Sequence, residues 1–163
     1  MEDLVIRPMG PGDLAAIRDI TWRGWDGMTF RELVEKRHGP LGSKSWRDWK
    51  ADDVVAGCEG HPECVLVAEL DGKVVGYATF HFSQAEGYGH VGNNCVDPDC
   101  RGRGVGTALN EAVLARLREL GARIVAVTTL EHDLPARRVY EKNGFVELVR
   151  SVTFTLDLSE GEE

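Results

Sequence analysis

The stretch "VDPDCRGRGVGTAL", residues 96–109, sets Gly102, Gly104 and Gly106 at every second position, interleaves them with Arg101 and Arg103, and runs straight into a helical pattern. That pattern places Val105, Leu109, Ala112, Val113, Arg116 and Leu117 on one stripe, with Gly121 where a helix C-cap belongs. Just upstream, "HVGNNCV" (90–96) is β-like and closes at Pro98. A strand, a glycine-rich turn and a helix start leave several backbone N–H groups without internal partners and aimed one way. Glycine lets a ligand approach the backbone, and the helix dipole adds about 0.3–1 kcal/mol in favour of negative charge. The reading predicts a phosphate or pyrophosphate site; the alternative is a tight connection in which the glycines only turn the chain. No Gly-Lys-Ser/Thr follows, which argues against ATP. The glycine order, after a strand that reads as antiparallel, does not fit the G-x-G-x-x-G dinucleotide fingerprint, which argues against NAD.

Working outward, "LVIRP" (4–8) reads as a strand, and "GPGD" places Asp13 to cap a helix over "LAAIRDI". From Thr21 to about Asp53 two short helices are expected around the loop "RHGPLGSKS". That region carries Trp22, Trp25, Trp46 and Trp49 in two i, i+3 pairs, read first as buried packing and second as walls of an acceptor pocket. "CVLVAEL" (64–70) and "KVVGYATFHF" (73–82) flank Asp71-Gly72 as an antiparallel hairpin. "RIVAVTTL" (123–130) reads as a short strand. Asp133 and Pro135 start a helix that stops at Asn143-Gly144, and "FVELVRSVTFTLDL" (145–158) reads as two further strands. The expectation is one α/β (α+β) domain over 1–158, with a polar tail at 159–163.

A length of 163 residues suits one core, and 42% apolar with 28% charged residues is ordinary for a globular chain. No apolar run is long enough to cross a bilayer, and the acidic start lacks a secretion signal's basic head, so a cytoplasmic address is expected. A net charge of −8 argues against wrapping nucleic acid or anionic lipid and leaves any anion site local. Four scattered cysteines read as reduced thiols. Cys58, His61 and Cys64 could offer a metal two thiolates and an imidazole, but the spacing matches no familiar zinc site, and a turn into a strand is favoured; no metal is expected.

On these residues the sequence resembles the GNAT superfamily of N-acetyltransferases. Arg101, Gly104 and Gly106 fit its Arg/Gln-x-x-Gly-x-Gly/Ala acyl-CoA pyrophosphate motif, and "ARRVYEKNGF" (136–145) resembles its second signature. The resemblance runs from about Leu4 to Leu158 in order of elements, least so from Thr21 to Gly60. It implies a GNAT-like, mixed, mostly antiparallel sheet of about six to seven strands flanked by helices, with a splayed strand pair holding acetyl-CoA. It further implies that the N–H of Asn94 polarises the acetyl carbonyl and that Val96 bonds the pantetheine arm. The backbone of Arg101, Gly102, Arg103, Gly104, Val105, Gly106 and Thr107 would hold the pyrophosphate. Tyr140 matches the family's acid for the departing thiolate, and His90 occupies the position where some members carry a base; an imidazole titrates near neutrality, which suits that role. Where the family often has Asn, this chain has Asp133, which reads as a helix cap. The expected reaction is acetyl transfer from acetyl-CoA to a primary amine, small molecule or protein, by direct attack in a ternary complex. Asp133 and the absence of a carboxylate in "HVGNNCV" sustain a rival, an acyl-CoA-binding module without turnover. A homodimer through an exposed sheet edge is compatible with the resemblance.

Overall fold

The computed structural model describes residues 3–159. Its centre is a five-stranded sheet in chain order: β1 (Leu4–Pro8), β2 (Val65–Leu70), β3 (Lys73–Ser83), β4 (Tyr88–Val96) and β5 (Ile124–Val127). Neighbours run antiparallel except β4 and β5, which are parallel. The Asp71-Gly72 hairpin forms between β2 and β3 as its turn chemistry requires.

Helices α1 (Leu14–Gly24), α2 (Phe30–His38) and α3 (Trp46–Gly60) precede the hairpin; α4 (Val105–Glu119) and α5 (Leu134–Lys142) flank β5 in sequence. Two cores sandwich the sheet. On one face α4 sends Val105, Leu109, Val113 and Leu117 against Ala68, Ala78, Phe80 and Val91. On the other, Ile17 and Ile20 of α1 and Val54 and Cys58 of α3 meet Val65, Val67, Tyr77 and Cys95. The strands therefore alternate between two apolar faces, the signature of a sheet covered on both sides.

Several expectations change. Helix α1 runs on to Gly24 and α3 to Gly60, so the region before the hairpin is more helical than its glycines suggest. Asp13 does not cap α1: its carboxylate turns back to the Gly10 N–H (2.8 Å) and to Arg7 (2.7 Å). The tryptophans are not a buried block; Trp22 and Trp49 are about two-fifths exposed, and cations cover the rings instead, Arg47 over Trp22 and Trp46, Arg31 over Trp49 and Lys50 over Trp25. Cys58 faces the core, where burial pushes its thiol up to about 11, whereas His61 lies out beside Glu63.

The largest departure is at the C-terminal end: the two expected strands from 145 to 158 do not form, and the sheet has five strands rather than six or seven. From Val146 to Leu158 there is no Gly, Pro or Asn, and Ser151 is the one turn-former near the middle of the run. Of the tail at 159–163, residues 160–163 lie outside the described residues.

Candidate active site

Strand β4 builds the site by changing partners along its length. Tyr88–Val91 pair with β3 on one side and with Ile124–Val127 of β5 on the other; from Gly92 to Val96 the pairing with β5 has stopped. The register against β3 slips at the same place, between Ala78 and Phe80, which inserts a bulge at Gly92-Asn93. A Cβ on Gly92 would lie 2.5 Å from the Thr79 hydroxyl, so any larger residue at the bulge must push that side chain aside.

The phase of the ladder decides where the freed backbone points. The Asp97 N–H donates to the Val75 carbonyl at 2.8 Å, which makes Val75–Asp97 a hydrogen-bonded pair. In an antiparallel ladder these alternate with non-hydrogen-bonded pairs, and Gly76–Val96 and Ala78–Asn94 fall on the alternate positions. The N–H and C=O groups of Asn94 and Val96 therefore face away from β3, on the side β5 has left, where the Val96 carbonyl accepts from Arg101.

Across that opening stands Tyr140, near the end of α5. Its hydroxyl accepts a hydrogen bond from Asn94 Nδ2 at 3.1 Å, and its ring meets Phe145 edge-on at 5.8 Å. The side chain is 8% exposed, and burial raises its hydroxyl pKa above the ordinary tyrosine value. Asp133 is the cap of α5, accepting from the Ala136 N–H at 3.1 Å and from the Thr129 hydroxyl at 3.0 Å.

At the lower end of the opening is the glycine loop. Gly102 and Gly104 take φ of +77° and +82°, conformations an L side chain rarely adopts, and a Cβ at either would meet nothing within 4 Å. The loop backbone is thus bare on its outer side where α4 begins, and the first-turn N–H groups of Val105, Gly106 and Thr107 lack helical partners. The Arg101 side chain serves the scaffold: Nη2 donates to the Gly24 carbonyl at 2.6 Å and Nε to the Val96 carbonyl at 3.4 Å. Beside it Arg23 grips the buried Asp97 with two bonds, 3.0 and 2.9 Å, and holds that carboxyl below its ordinary range. The end of α1 is thereby fastened to both sides of the loop.

His90 sits in the doubly paired half of β4, opposite His81 of β3 and Ala126 of β5. Its neighbour Val91 packs in the α4-side core, so the pleat turns His90 toward the α1/α3 face, whereas Tyr140 approaches Asn94 from α5. The structure brings Asn94 and Tyr140 together and leaves His90 four residues back along the strand.

Two residues went unread in the sequence. Lys50 of α3 donates to Asn93 Oδ1 at 2.7 Å and supports the bulge from the opposite face; burial lowers its pKa. His132, after β5, donates from Nε2 to the Gly27 carbonyl at 2.8 Å, tying the β5–α5 connection to the α1–α2 loop. Lys50 had a visible cue, its place among the tryptophans of α3; His132 had none, since its partner is 105 residues away.

Residues 14–145 match the model of the acetyltransferase (GNAT) family. The chain is 29% identical over 156 residues to mycothiol acetyltransferase of Thermomonospora curvata, covering 94% of this chain and 48% of that protein. It is 34% identical over 86 residues to an uncharacterised N-acetyltransferase of Methanocaldococcus jannaschii, covering 52% of this chain and 54% of that one. The chain spans about half the length of these two relatives. Among solved structures, YncA of Salmonella typhimurium with its cofactor acetyl-CoA superposes with a TM-score of 0.62 at 24% identity, covering 88% of this chain and 79% of that one, a likeness of fold. With the family model spanning most of its length, the chain belongs to the GNAT family of acetyltransferases.

Proposed function

We propose that the protein transfers an acetyl group from acetyl-CoA to a primary amine. The observation that carries this reading is the Asn94–Tyr140 contact, set where β4 exposes unpaired backbone beside a bare glycine loop at a helix N-terminus. The residues fit the donor: the left-handed glycines and the first turn of α4 suit a pyrophosphate, and the outward N–H and C=O of Asn94 with the N–H of Val96 suit an amide-bearing arm. The backbone from Arg101 to Thr107 would hold the pyrophosphate, Arg101 and Arg103 included. The Arg101 N–H is already directed at the Pro98 carbonyl (3.5 Å), which leaves the main burden to Gly102 through Thr107.

When bound, acetyl-CoA supplies an activated thioester. The Asn94 N–H then offers a preorganised donor to the acetyl oxygen, a device worth roughly 10²–10³ in rate. Tyr140 holds a proton on its hydroxyl for the departing sulfur, and its burial keeps that proton in place at neutral pH. His90 is the proposed base for the incoming ammonium, acting through water because it lies in the paired half of the strand. The α1–α2 loop and α3 frame the acceptor side, and the relatives with acetyltransferase names support the same class of reaction.

The test is calorimetric titration with acetyl-CoA, CoA and NAD, followed by release of free CoA thiol over an amine panel. Binding of the first two with amine-dependent thiol release is expected. Binding without release under any amine would favour the non-catalytic acyl-CoA module, and no binding would remove both readings.

A further inference from the structure

The α1/α3 side of the open half of β4 carries a cation whose bonding capacity the scaffold leaves unspent. Lys50 of α3 reaches the strand with its side chain 14% exposed. Its ammonium donates to Asn93 Oδ1 at 2.7 Å and rests 4.4 Å from the centre of the Trp25 ring, which is itself fixed by a bond from Nε1 to the Tyr77 hydroxyl at 3.3 Å. The one ion-pair partner of Lys50, Asp53, is half exposed and 4.0 Å away. A mostly buried ammonium ordinarily has a close carboxylate and a partner for each proton. Lys50 has one neutral bond and one ring face, and burial already disfavours its charge.

Asn93 is half-used in the same way. With Oδ1 given to Lys50, its Nδ2 makes no hydrogen bond among the described residues. The free ends of both groups are donors only, and they stand one residue before Asn94. His90 faces the same side of the sheet. The carboxylates around this side are already engaged: Asp26 with Arg47 at 2.7 Å, Glu32 with Lys36 and the Gly27 N–H at 2.6 Å each, Glu35 with Arg31 at 3.1 Å and Glu131 with Arg150 at 2.5 Å. This side therefore offers a ligand positive charge and N–H groups, and little to receive a second ammonium.

We infer that Lys50 and Asn93 form an anion subsite for the acceptor, and that the acceptor is an amine carrying a carboxylate, an amino acid rather than a polyamine. One ammonium beside a neutral amide matches a single negative charge, and the two oxygens of a carboxylate can take one N–H from each group. Because Asn93 and Asn94 are adjacent, an acceptor anchored at the first presents its amine near the second. The inference rests on the acetyl-transfer reading for what is done to this molecule, and on Lys50 and Asn93 for what the molecule carries.

The experiment applies two readouts to the wild-type chain, Lys50→Gln and Lys50→Arg. Calorimetry on CoA-saturated protein compares a panel of N-acetyl-L-amino acids and N-acetyl-β-alanine with their carboxamides. Thiol release from acetyl-CoA compares the unacetylated panel with its carboxamides and with spermidine. The best carboxylates should exceed their amides about 10–100-fold in affinity and in kcat/KM. Lys50→Gln should erase that preference by raising KM for the carboxylates alone, with CoA affinity and amide rates within about threefold of wild type; Lys50→Arg should retain part of it. Equal binding of carboxylates and amides, or binding of neither, would overturn the inference. So would a Lys50→Gln variant that weakens both alike, which makes Lys50 a prop for the bulge and nothing more. Carboxylate-selective binding without thiol release from any amine would uphold the subsite and remove the acetyl-transfer reading instead.

Discussion

The two halves of β4 differ in what their backbone is free to do. Tyr88–Val91 are bonded on both sides and serve the sheet; Gly92–Val96 are bonded on one, and their outward groups face an opening. Nothing in side-chain polarity alone distinguishes the halves, since one carries His90 and the other Asn93 and Asn94. The difference is made by the bulge at Gly92-Asn93 and by where β5 ends. A site of this kind is built by withholding a partner from a strand.

The sharpest way to break the open half is Tyr140→Phe, which keeps the ring against Phe145 and removes the hydroxyl that accepts from Asn94. Turnover should fall about 10²–10³-fold, with the acetyl-CoA KM changed by less than about threefold; steady-state thiol release measures both, and unchanged kcat removes the assignment. Next is Asp97→Asn, which leaves Arg23 without its buried partner at the foot of that half. Because Arg23 is a third exposed, a loss of about 2–3 kcal/mol is expected rather than the full cost of breaking a buried pair. Since the folded state holds the Asp97 carboxyl below its ordinary range, this stabilisation is complete above the unfolded value near pH 4 and is lost as pH falls through the folded one. Denaturant melts at neutral and acidic pH should show the variant gap narrowing in acid.

Gly104→Ala tests the loop that closes the open half. A Cβ at φ +82° costs about 1–2 kcal/mol, and if the strain is relieved by giving up the loop's shape, CoA affinity should drop about 5–30-fold by calorimetry. The smallest effect falls in the paired half. His90→Gln should leave neutral-pH stability near wild type and flatten the acidic limb of kcat/KM; a limb that persists assigns the base elsewhere.

The loop, the helix after it and the hairpin were legible because each rests on local chemistry: glycine spacing, a helical stripe and a two-residue turn. Asn94 and Tyr140 were singled out only through the family resemblance, and the side-chain contact between them, 46 residues apart, was not foreseen. The Arg101 clamp on Gly24 and the Lys50 support of Asn93 were not legible, since a long cation has the same letter whether it reaches a phosphate or a carbonyl. The C-terminal segment misled for the opposite reason: its mostly alternating pattern is that of a strand, yet it joins no sheet among the described residues.

The fastening of α1 has a consequence for engineering. Arg23 on Asp97 and Arg101 on the Gly24 carbonyl make the last turn of α1 a joint between the donor-side loop and everything from Trp25 to Gly60. Residues 25–45 lead from this joint to α3, whose Val54 and Cys58 sit in the core and whose Lys50 props the bulge. A graft confined to 25–45 that leaves both arginines in place is expected to keep the glycine loop in shape.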